Sequence, residues 1–274
     1  MSIERLCKSE RILHAPTKRG IDRIDARFHG VGFSPHRHDT YALGITLAGV
    51  QTFRYRGASR VSVPGNTIVI HPDELHDGAA GSENMLHYRM FYFPPELLLE
   101  ASSRTHILPF VKEPILSDKS LHQLLVEVLI DLSNEPDELL LDDVIMRLQS
   151  NLWKHADREI THPKFIARDA ILNIREYLKE NIESTVSSVD LENISGLDRY
   201  TLSRHFRALH GTSPHRYLIM RRLEKGRRML SGSNISLAET ALACGFSDQS
   251  HFTRHFKSAF GMTPGRWLRF TQRP

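Results

Sequence analysis

Ser236-Leu237-Ala238-Glu239-Thr240-Ala241-Leu242-Ala243-Cys244-Gly245-Phe246-Ser247-Asp248-Gln249-Ser250-His251-Phe252-Thr253-Arg254-His255-Phe256-Lys257-Ser258-Ala259-Phe260-Gly261-Met262-Thr263-Pro264 is the stretch on which the fold of this chain turns. Ser236, followed three residues later by Glu239, is a capping-box helix start. Gly245 ends that helix, because a left-handed backbone costs glycine little. Ser247 can cap a second helix, whose Phe252, Phe256 and Phe260 recur at i, +4 and +8 and so share one apolar face. Gly261 stops it. Thr263-Pro264 then supplies a cap followed by proline at the first helical position, which needs no N–H. The unit is helix, glycine turn, helix.

A second copy stands fifty residues upstream. Laying Arg199–Leu218 over Gln249–Leu268 gives the identical pairs Arg204/Arg254, His205/His255, Phe206/Phe256, Gly211/Gly261, Pro214/Pro264, Arg216/Arg266 and Leu218/Leu268. Further upstream Gly196 matches Gly245 and Asp190 matches Glu239. A repeated unit demands a structural reason, and two copies are too few for a solenoid. Opposite the apolar stripe, the first copy offers Arg199, Tyr200, Ser203, Arg204 and Arg207. The second offers Gln249, Ser250, Thr253, Arg254 and Lys257. Such side chains suit base edges and phosphates in a major groove, and a helix–turn–helix carries them on its second helix. Solvated faces of a helical bundle would leave a similar strip once, but do not account for its duplication. Residues 215–230 fit one connecting helix of about 24 Å at ~1.5 Å per residue. With its turns, that places reading helices 199–209 and 248–260 about one DNA turn apart, ~34 Å.

Charge agrees. The net charge of +4 over 274 residues hides an asymmetry: 18 basic and 10 acidic residues lie from Lys164 to Pro274, against 18 and 22 from Met1 to Pro163. A basic third on an acidic body points to a polyanion at one end. With 40% hydrophobic and 25% charged residues the chain is neither disordered nor a coiled-coil rod. No apolar run approaches the ~18 residues of a membrane span, and the start, Met1 to Leu6, lacks a secretory h-region. Cys7 and Cys244 form no disulfide framework and no four-thiolate site. A cytoplasmic protein with no membrane partner is expected, with Cys244 buried.

The first ~95 residues read as short strands. Leu43, Ile45 and Leu47 alternate with small residues, Phe53 and Tyr55 with arginines, and Val61 and Val63 lead into the turn Pro64-Gly65-Asn66. Thr67–His71 and His87–Phe93 are further strands, together an all-β sandwich or barrel with Leu43, Ile45, Leu47, Phe53, Tyr55, Val61 and Val63 inside. Leu121, Leu124, Leu125, Val128, Leu129 and Leu132 make one helical face, and Leu141, Val144, Ile145, Leu148 and Leu152 another. Asn134-Glu135-Pro136-Asp137 breaks between them, predicting an antiparallel hairpin. The polar stretch around Pro163 is the linker.

The Ser236–Pro264 stretch closely resembles the signature of the AraC/XylS family of bacterial transcription regulators, and the similarity runs from about Ala170 to Phe270. The resemblance implies a seven-helix domain with two helix–turn–helix units, in which Arg199, Tyr200, Ser203, Arg204, Gln249, Ser250, Thr253 and Arg254 face DNA. Phe33-Ser34-Pro35-His36-Arg37-His38-Asp39, Pro64-Gly65-Asn66 and His71-Pro72-Asp73-Glu74-Leu75-His76 resemble, less closely, the cupin-like sensor domain of the same family. That implies a β-barrel binding an effector, followed by helices that pair two subunits. The expected organisation is therefore multidomain α and β: a cupin-like barrel over 1–100, a helical dimerisation segment over 101–157, a linker over 158–166 and an all-α double helix–turn–helix domain over 167–274. The expected function is a sequence-specific, effector-responsive activator and not an enzyme. Its partners would be double-stranded DNA, an unidentified small molecule, a second copy of itself and RNA polymerase. Effector contacts are expected at His36, His38, Tyr41, Arg54 and His76.

Gly226 and Thr240 depart from the family pattern, which has alanine and a branched aliphatic there. Gly226 either loosens the connecting helix or permits close packing. Thr240 is expected to weaken the core slightly. A metal enzyme is the rival reading of the barrel, since His36, His38 and His76 could converge on a divalent ion. Cupin enzymes also carry a glutamate four or five residues after the second histidine, where this chain has Ala42 and Leu43. They have a histidine soon after the Pro-Gly turn, where it has Ile68 and Val69. No metal or other cofactor is therefore expected, the histidines being polar groups at a barrel mouth. Cysteine alkyl transfer, as in some relatives of the DNA-binding domain, needs a reactive exposed thiol that neither cysteine offers.

Overall fold

A computed structural model describes residues 10–81, 85–102, 107–157, 165–232 and 235–271; Cys7 and most of the expected linker lie outside them. The N-terminal part runs β1 (Arg11–His14), β2 (Asp22–Phe28), β3 (Val31–His36), β4 (Tyr41–Ala48), β5 (Gln51–Tyr55), β6 (Ala58–Ser62), β7 (Thr67–Ile70), β8 (His76–Ala80), β9 (Leu86–Phe93), α1 (Glu96–Glu100), β10 (Ile115–Leu116), α2 (Lys119–Leu129) and α3 (Glu138–Lys154). The strands form two antiparallel sheets, ordered β1-β2-β9-β4-β7-β10 and β3-β8-β5-β6. They close over a core that includes Ile24, Phe28, Phe53, Tyr55, Ile68, Leu86 and Tyr88. This is the expected barrel, filled by its own side chains.

Which face of each strand looks inward differs in part from the sequence reading. Phe53 and Tyr55 lie inside, but Leu43 and Ile45 are buried on the opposite side, against α2 and α3. Leu47, Val61 and Val63 are 37%, 53% and 41% exposed. The reason is that β4 is covered on both faces, so a period of two separates the faces without saying which is the barrel's. Inside, β4 presents small residues because Met90 on β9 lies across them: a Cβ on Gly44 would sit 2.0 Å from the Met90 Sδ. β6 is an edge strand, and its inward residue is Ser62, whose hydroxyl is 2.8 Å from that of Thr46.

Both predicted helices of the hairpin form. Asp118 and Asp137 cap them by accepting backbone N–H groups. The leucine face of α2 closes on β4 and β9, and that of α3 packs on α2 and α1 in the same core. The end of α2 is secured by a residue that local sequence does not reveal. Arg23 on β2 donates to the carbonyls of Val128, Asp131 and Asn134, groups that a helix end leaves without partners.

The C-terminal part is all helix: α4 (Arg168–Glu180), α5 (Ser188–Ser195), α6 (Arg199–His210), α7 (Pro214–Gly232), α8 (Leu237–Ala243), α9 (Gln249–Phe260) and α10 (Pro264–Thr271). α5 and α8 open with the same capping box, Ser187 with Asp190 and Ser236 with Glu239. α6 and α9 are capped by Asp198 and Asp248, so the cap expected at Ser247 belongs to its neighbour. The Ser247 hydroxyl instead meets Asp248 and His251. Gly226 is a packing site: a Cβ there would lie 2.8 Å from the Phe252 ring. Thr240 is fully buried, with its hydroxyl donating to the Ser236 carbonyl, so its polar atom is satisfied. Cys244 is buried, and burial raises its thiol pKa.

The two parts are in contact. The Ser34 and Arg37 N–H groups donate to the carbonyls of Gly261 and Ser258 at the end of α9. Barrel-side carboxylates meet arginines of the helical part, Asp22 with Arg227, Asp39 with Arg221, and Asp73 with Arg207 and Arg216, and Glu96 lies 2.7 Å from the His210 ring nitrogen. Part of the charge asymmetry is thus used inside the molecule.

Candidate functional site

The two second helices carry the polar strips read from the sequence. On α6, Arg199, Tyr200 and Arg204 are exposed and Ser203 is half-buried. On α9, Gln249, Ser250, Arg254 and Lys257 are exposed and Thr253 is half-buried. The buried sides are Leu202, Phe206 and Leu209 on α6 and Phe252, Phe256 and Ala259 on α9. Packing therefore fixes how each strip is turned outward. The two helices are joined through α7, about 28 Å long at ~1.5 Å per residue.

Arg207 stands apart from the rest of its strip. It reaches 3.2 Å to a carboxylate oxygen of Asp73, which also pairs with Arg216 at 2.7 Å. Asp73 holds φ at +60°, a conformation uncommon outside glycine and asparagine or aspartate, so the loop aims this carboxylate at a definite cost. Arg216, Arg221 and Arg227 on α7 are contact positions between the two parts that motif reading passed over. Their partners are remote in sequence, and only a charge imbalance between the two halves hinted at them.

A cavity of about 90 Å³ lies between the barrel and the helical part, with Ile24, Phe33, His36, His38, Tyr92, Met220, Arg227 and Phe260 among its walls. Of the expected effector contacts, His36 and His38 line it. Tyr41 does not. It is buried on the helix-facing side of β4, where its hydroxyl donates to the Pro109 carbonyl and its ring stacks on Phe93. Arg54 is exposed on β5, away from the cavity. Tyr41 shares the helix-facing side of β4 with Leu43, and Arg54 takes the solvent-facing alternative, so neither side chain is directed at this cavity.

His36, His38 and His76 are brought together although His76 lies forty positions after His36, because β3 pairs with β8 and sets His36 opposite His76. One ring nitrogen from each lies within 4.8 Å of the others. Burial, and then the neighbouring imidazoles, hold His36 and His38 well below the usual histidine range; burial brings His76 down to about 4.

Another histidine of the same motif has a structural task. His71 is buried, and its Nε2 accepts the Val111 N–H at 3.0 Å. Burial, with Arg56 nearby, lowers its pKa to about 3. The unfolded chain takes up this proton near pH 6.5 and the folded chain does not. Stability from this residue is therefore complete above ~6.5 and declines as pH falls, at up to ~1.4 kcal/mol per pH unit. Denaturant unfolding between pH 6.5 and 4 should show this slope, and His71→Gln should make it shallower by about that amount.

These features define a protein with two parts: a helical one built to lie on duplex DNA through two exposed polar strips, and a β-barrel that adjoins it across a cavity. Comparison with known proteins agrees. A family described as the AraC-like ligand binding domain matches residues 19–148, and a helix-turn-helix domain family matches residues 191–269. The chain belongs to the AraC family of transcription regulators. It is 25% identical to the uncharacterized HTH-type transcriptional regulator YbfI of Bacillus subtilis, over 82% of this chain and 84% of that one. It is 23% identical to the transcriptional activator RhaS of Yersinia pestis, over 88% and 91%. The fold is that of ToxT from Vibrio cholerae, with a TM-score of 0.68 at 13% identity, covering 94% of this chain and all of that one. A second ToxT structure, bound to an unsaturated fatty acid, matches with a TM-score of 0.67 at 13% identity over 97% of both chains. Among the described residues no helix is long and apolar enough to cross a membrane.

Proposed function

We propose that this regulator is an effector-responsive activator, acting in the cytoplasm as a homodimer that contacts RNA polymerase. α6 and α9 enter two successive major grooves. Arg199, Tyr200, Ser203, Arg204, Gln249, Ser250, Thr253, Arg254 and Lys257 meet bases and phosphates, and Arg207 joins them once it leaves Asp73. The observation that carries this reading is the duplication of an exposed strip in two helix–turn–helix units, α5–α6 and α8–α9, linked by α7. RhaS, named as an activator, and the ligand-bound ToxT structure support the activating and effector-responsive parts. Titrating labelled operator DNA at several salt concentrations tests it. Each phosphate-neutralising cation removed should reduce the log–log salt slope by about 0.9.

The effector belongs in the cavity between the two parts. A ligand shifts a conformational equilibrium only through its different affinity for the two states. A cavity with one wall on each side of a moving contact meets that condition, whereas a packed barrel does not. The ion pairs across the contact oppose the shift. Asp73→Asn is expected to raise operator affinity about two- to fivefold, in keeping with the ~1 kcal/mol ceiling for exposed pairs. Anisotropy titration at fixed salt reads this directly, and reduced affinity would argue that Asp73 supports the DNA-bound arrangement.

Dimerisation fits the outer faces of α2 and α3, where Ile130, Leu139 and Met146 are 71%, 80% and 57% exposed. Sedimentation of the Leu139→Glu, Met146→Glu double variant should give monomer where the parent chain gives dimer.

A further inference from the structure

We propose that His36, His38 and His76 form a binding site for one divalent transition-metal ion of the zinc or nickel kind, at the mouth of the barrel beneath the end of α9.

The hydrogen bonds decide which nitrogens are available. His36 Nδ1 lies 2.8 Å from the Ser34 carbonyl, His38 Nδ1 2.9 Å from that of Thr40 and His76 Nδ1 2.9 Å from that of Glu74. A carbonyl oxygen only accepts, so each Nδ1 carries the proton and each Nε2 keeps its lone pair. In a metal site the outer ring N–H of a ligating histidine is held in this way by a carbonyl or carboxylate, which fixes the tautomer and the ring's orientation. Three backbone carbonyls do so here.

The inner side of the cluster lacks what the outer side has. The His38 Nε2 is buried and meets no hydrogen-bond partner. The His36 and His76 ring centroids are 4.2 Å apart, and those of His38 and His76 4.9 Å. One ring nitrogen from each histidine lies within 4.8 Å of the others, and lone pairs brought that close repel unless a donor or a cation lies between them. A buried polar atom without a partner costs free energy unless something binds it. A shared cation coordinated by all three is the remedy the geometry offers. Neutral imidazoles are the donors that zinc, nickel and copper favour.

The absent glutamate of cupin enzymes does not remove the site. It leaves three ligands, with further coordination positions for water or an outside donor atom. His36 and His38 also line the cavity between the two parts, so such a donor reaches the ion from there. The location ties metal to domain contact. Gly261, at the end of α9, has its carbonyl bonded to the Ser34 N–H, and a Cβ on it would lie 2.9 Å from His36 Nδ1. The ligand set is thus built against the second reading helix.

The test uses the full-length chain stripped with chelator and titrated with Zn²⁺ and Ni²⁺ against a chromogenic competitor. Elemental analysis after desalting reads stoichiometry. One ion per chain is expected, with a rise of several degrees in the melting temperature at saturating Zn²⁺. His38→Gln and His76→Gln should each weaken binding at least a hundredfold while retaining the parent circular dichroism. The rings of His251 and His255 lie 4.7 Å apart on α9 and are the obvious competing site. Binding lost in His251→Gln but retained in His76→Gln overturns the proposal, as does a parent chain that takes up no stoichiometric ion and shows no thermal shift. If the glutamine variants misfold, His251→Gln carries the test: one ion and the thermal shift retained in that variant support the site, and their loss overturns it.

Discussion

Replacing both Arg204 and Arg254 by alanine is expected to lower operator affinity by about a hundredfold or more, with the fold intact. Each arginine that grips a base edge with two hydrogen bonds contributes roughly 1–3 kcal/mol, and each 1.4 kcal/mol is tenfold. The sites lie on different helices and share no partner, so their effects should add. Arg254 is exposed and its guanidinium has no hydrogen-bond or ion-pair partner among the described residues. Among the described residues, the Arg204 guanidinium makes one hydrogen bond, donated to the Thr201 hydroxyl at 3.3 Å. Alanine is the better helix former, so neither change threatens α6 or α9. An anisotropy titration at fixed salt, with circular dichroism as the folding control, separates loss of contact from loss of structure. Affinity unchanged in the double variant would remove both helices from the DNA interface.

Gly226→Leu should destabilise the second helix–turn–helix by more than about 3 kcal/mol and abolish operator binding with it. The sign is not obvious from the sequence. Glycine within a helix costs ~1 kcal/mol relative to alanine, so a substitution there gains helix propensity. The structure supplies the opposing effect. A Cβ at position 226 would lie 2.8 and 3.0 Å from two carbons of the Phe252 ring and 3.4 Å from the Cys244 Sγ, and both residues are fully buried. Overpacking costs about 1–3 kcal/mol even for small additions, and three further carbons on leucine meet the same wall. For alanine the two effects nearly cancel. Equilibrium denaturation of the three chains should therefore rank glycine and alanine close together and leucine far below. Leucine of wild-type stability would mean that the core around Phe252 can yield.

Much of the helical part was legible because its signals are local. The capping box at Ser236, glycine stops at 196, 211, 245 and 261, and the phenylalanine stripe each act within a few residues. The duplication then removed the ambiguity that any one amphipathic helix carries. The barrel was legible as strands but only partly as surfaces. Leu43 and Ile45 are as buried as expected, yet they serve the contact with α2 and α3. Tyr41 follows them and leaves the list of cavity residues. Arg54 leaves it because β5 turns that residue to solvent.

The chain's own text determined two reading helices, the glycine turns before them, a β-rich acidic body and the histidines of its motifs. Short-range physics suffices for these: a helix cap, a left-handed turn and an apolar period are set by neighbours in sequence. Only the tertiary structure decided which face of β4 is the barrel's, that the cavity lies between the two parts, and that Asp22, Asp39, Asp73 and Glu96 hold the basic helices. It also decided that His36, His38 and His76 turn their free nitrogens toward one another. Those are contacts between residues tens to hundreds of positions apart, fixed by strand pairing and by the docking of separate surfaces. No local pattern encodes such distances, so the two exposed polar strips could be named from sequence, while the contacts that hold their helices against the barrel could not.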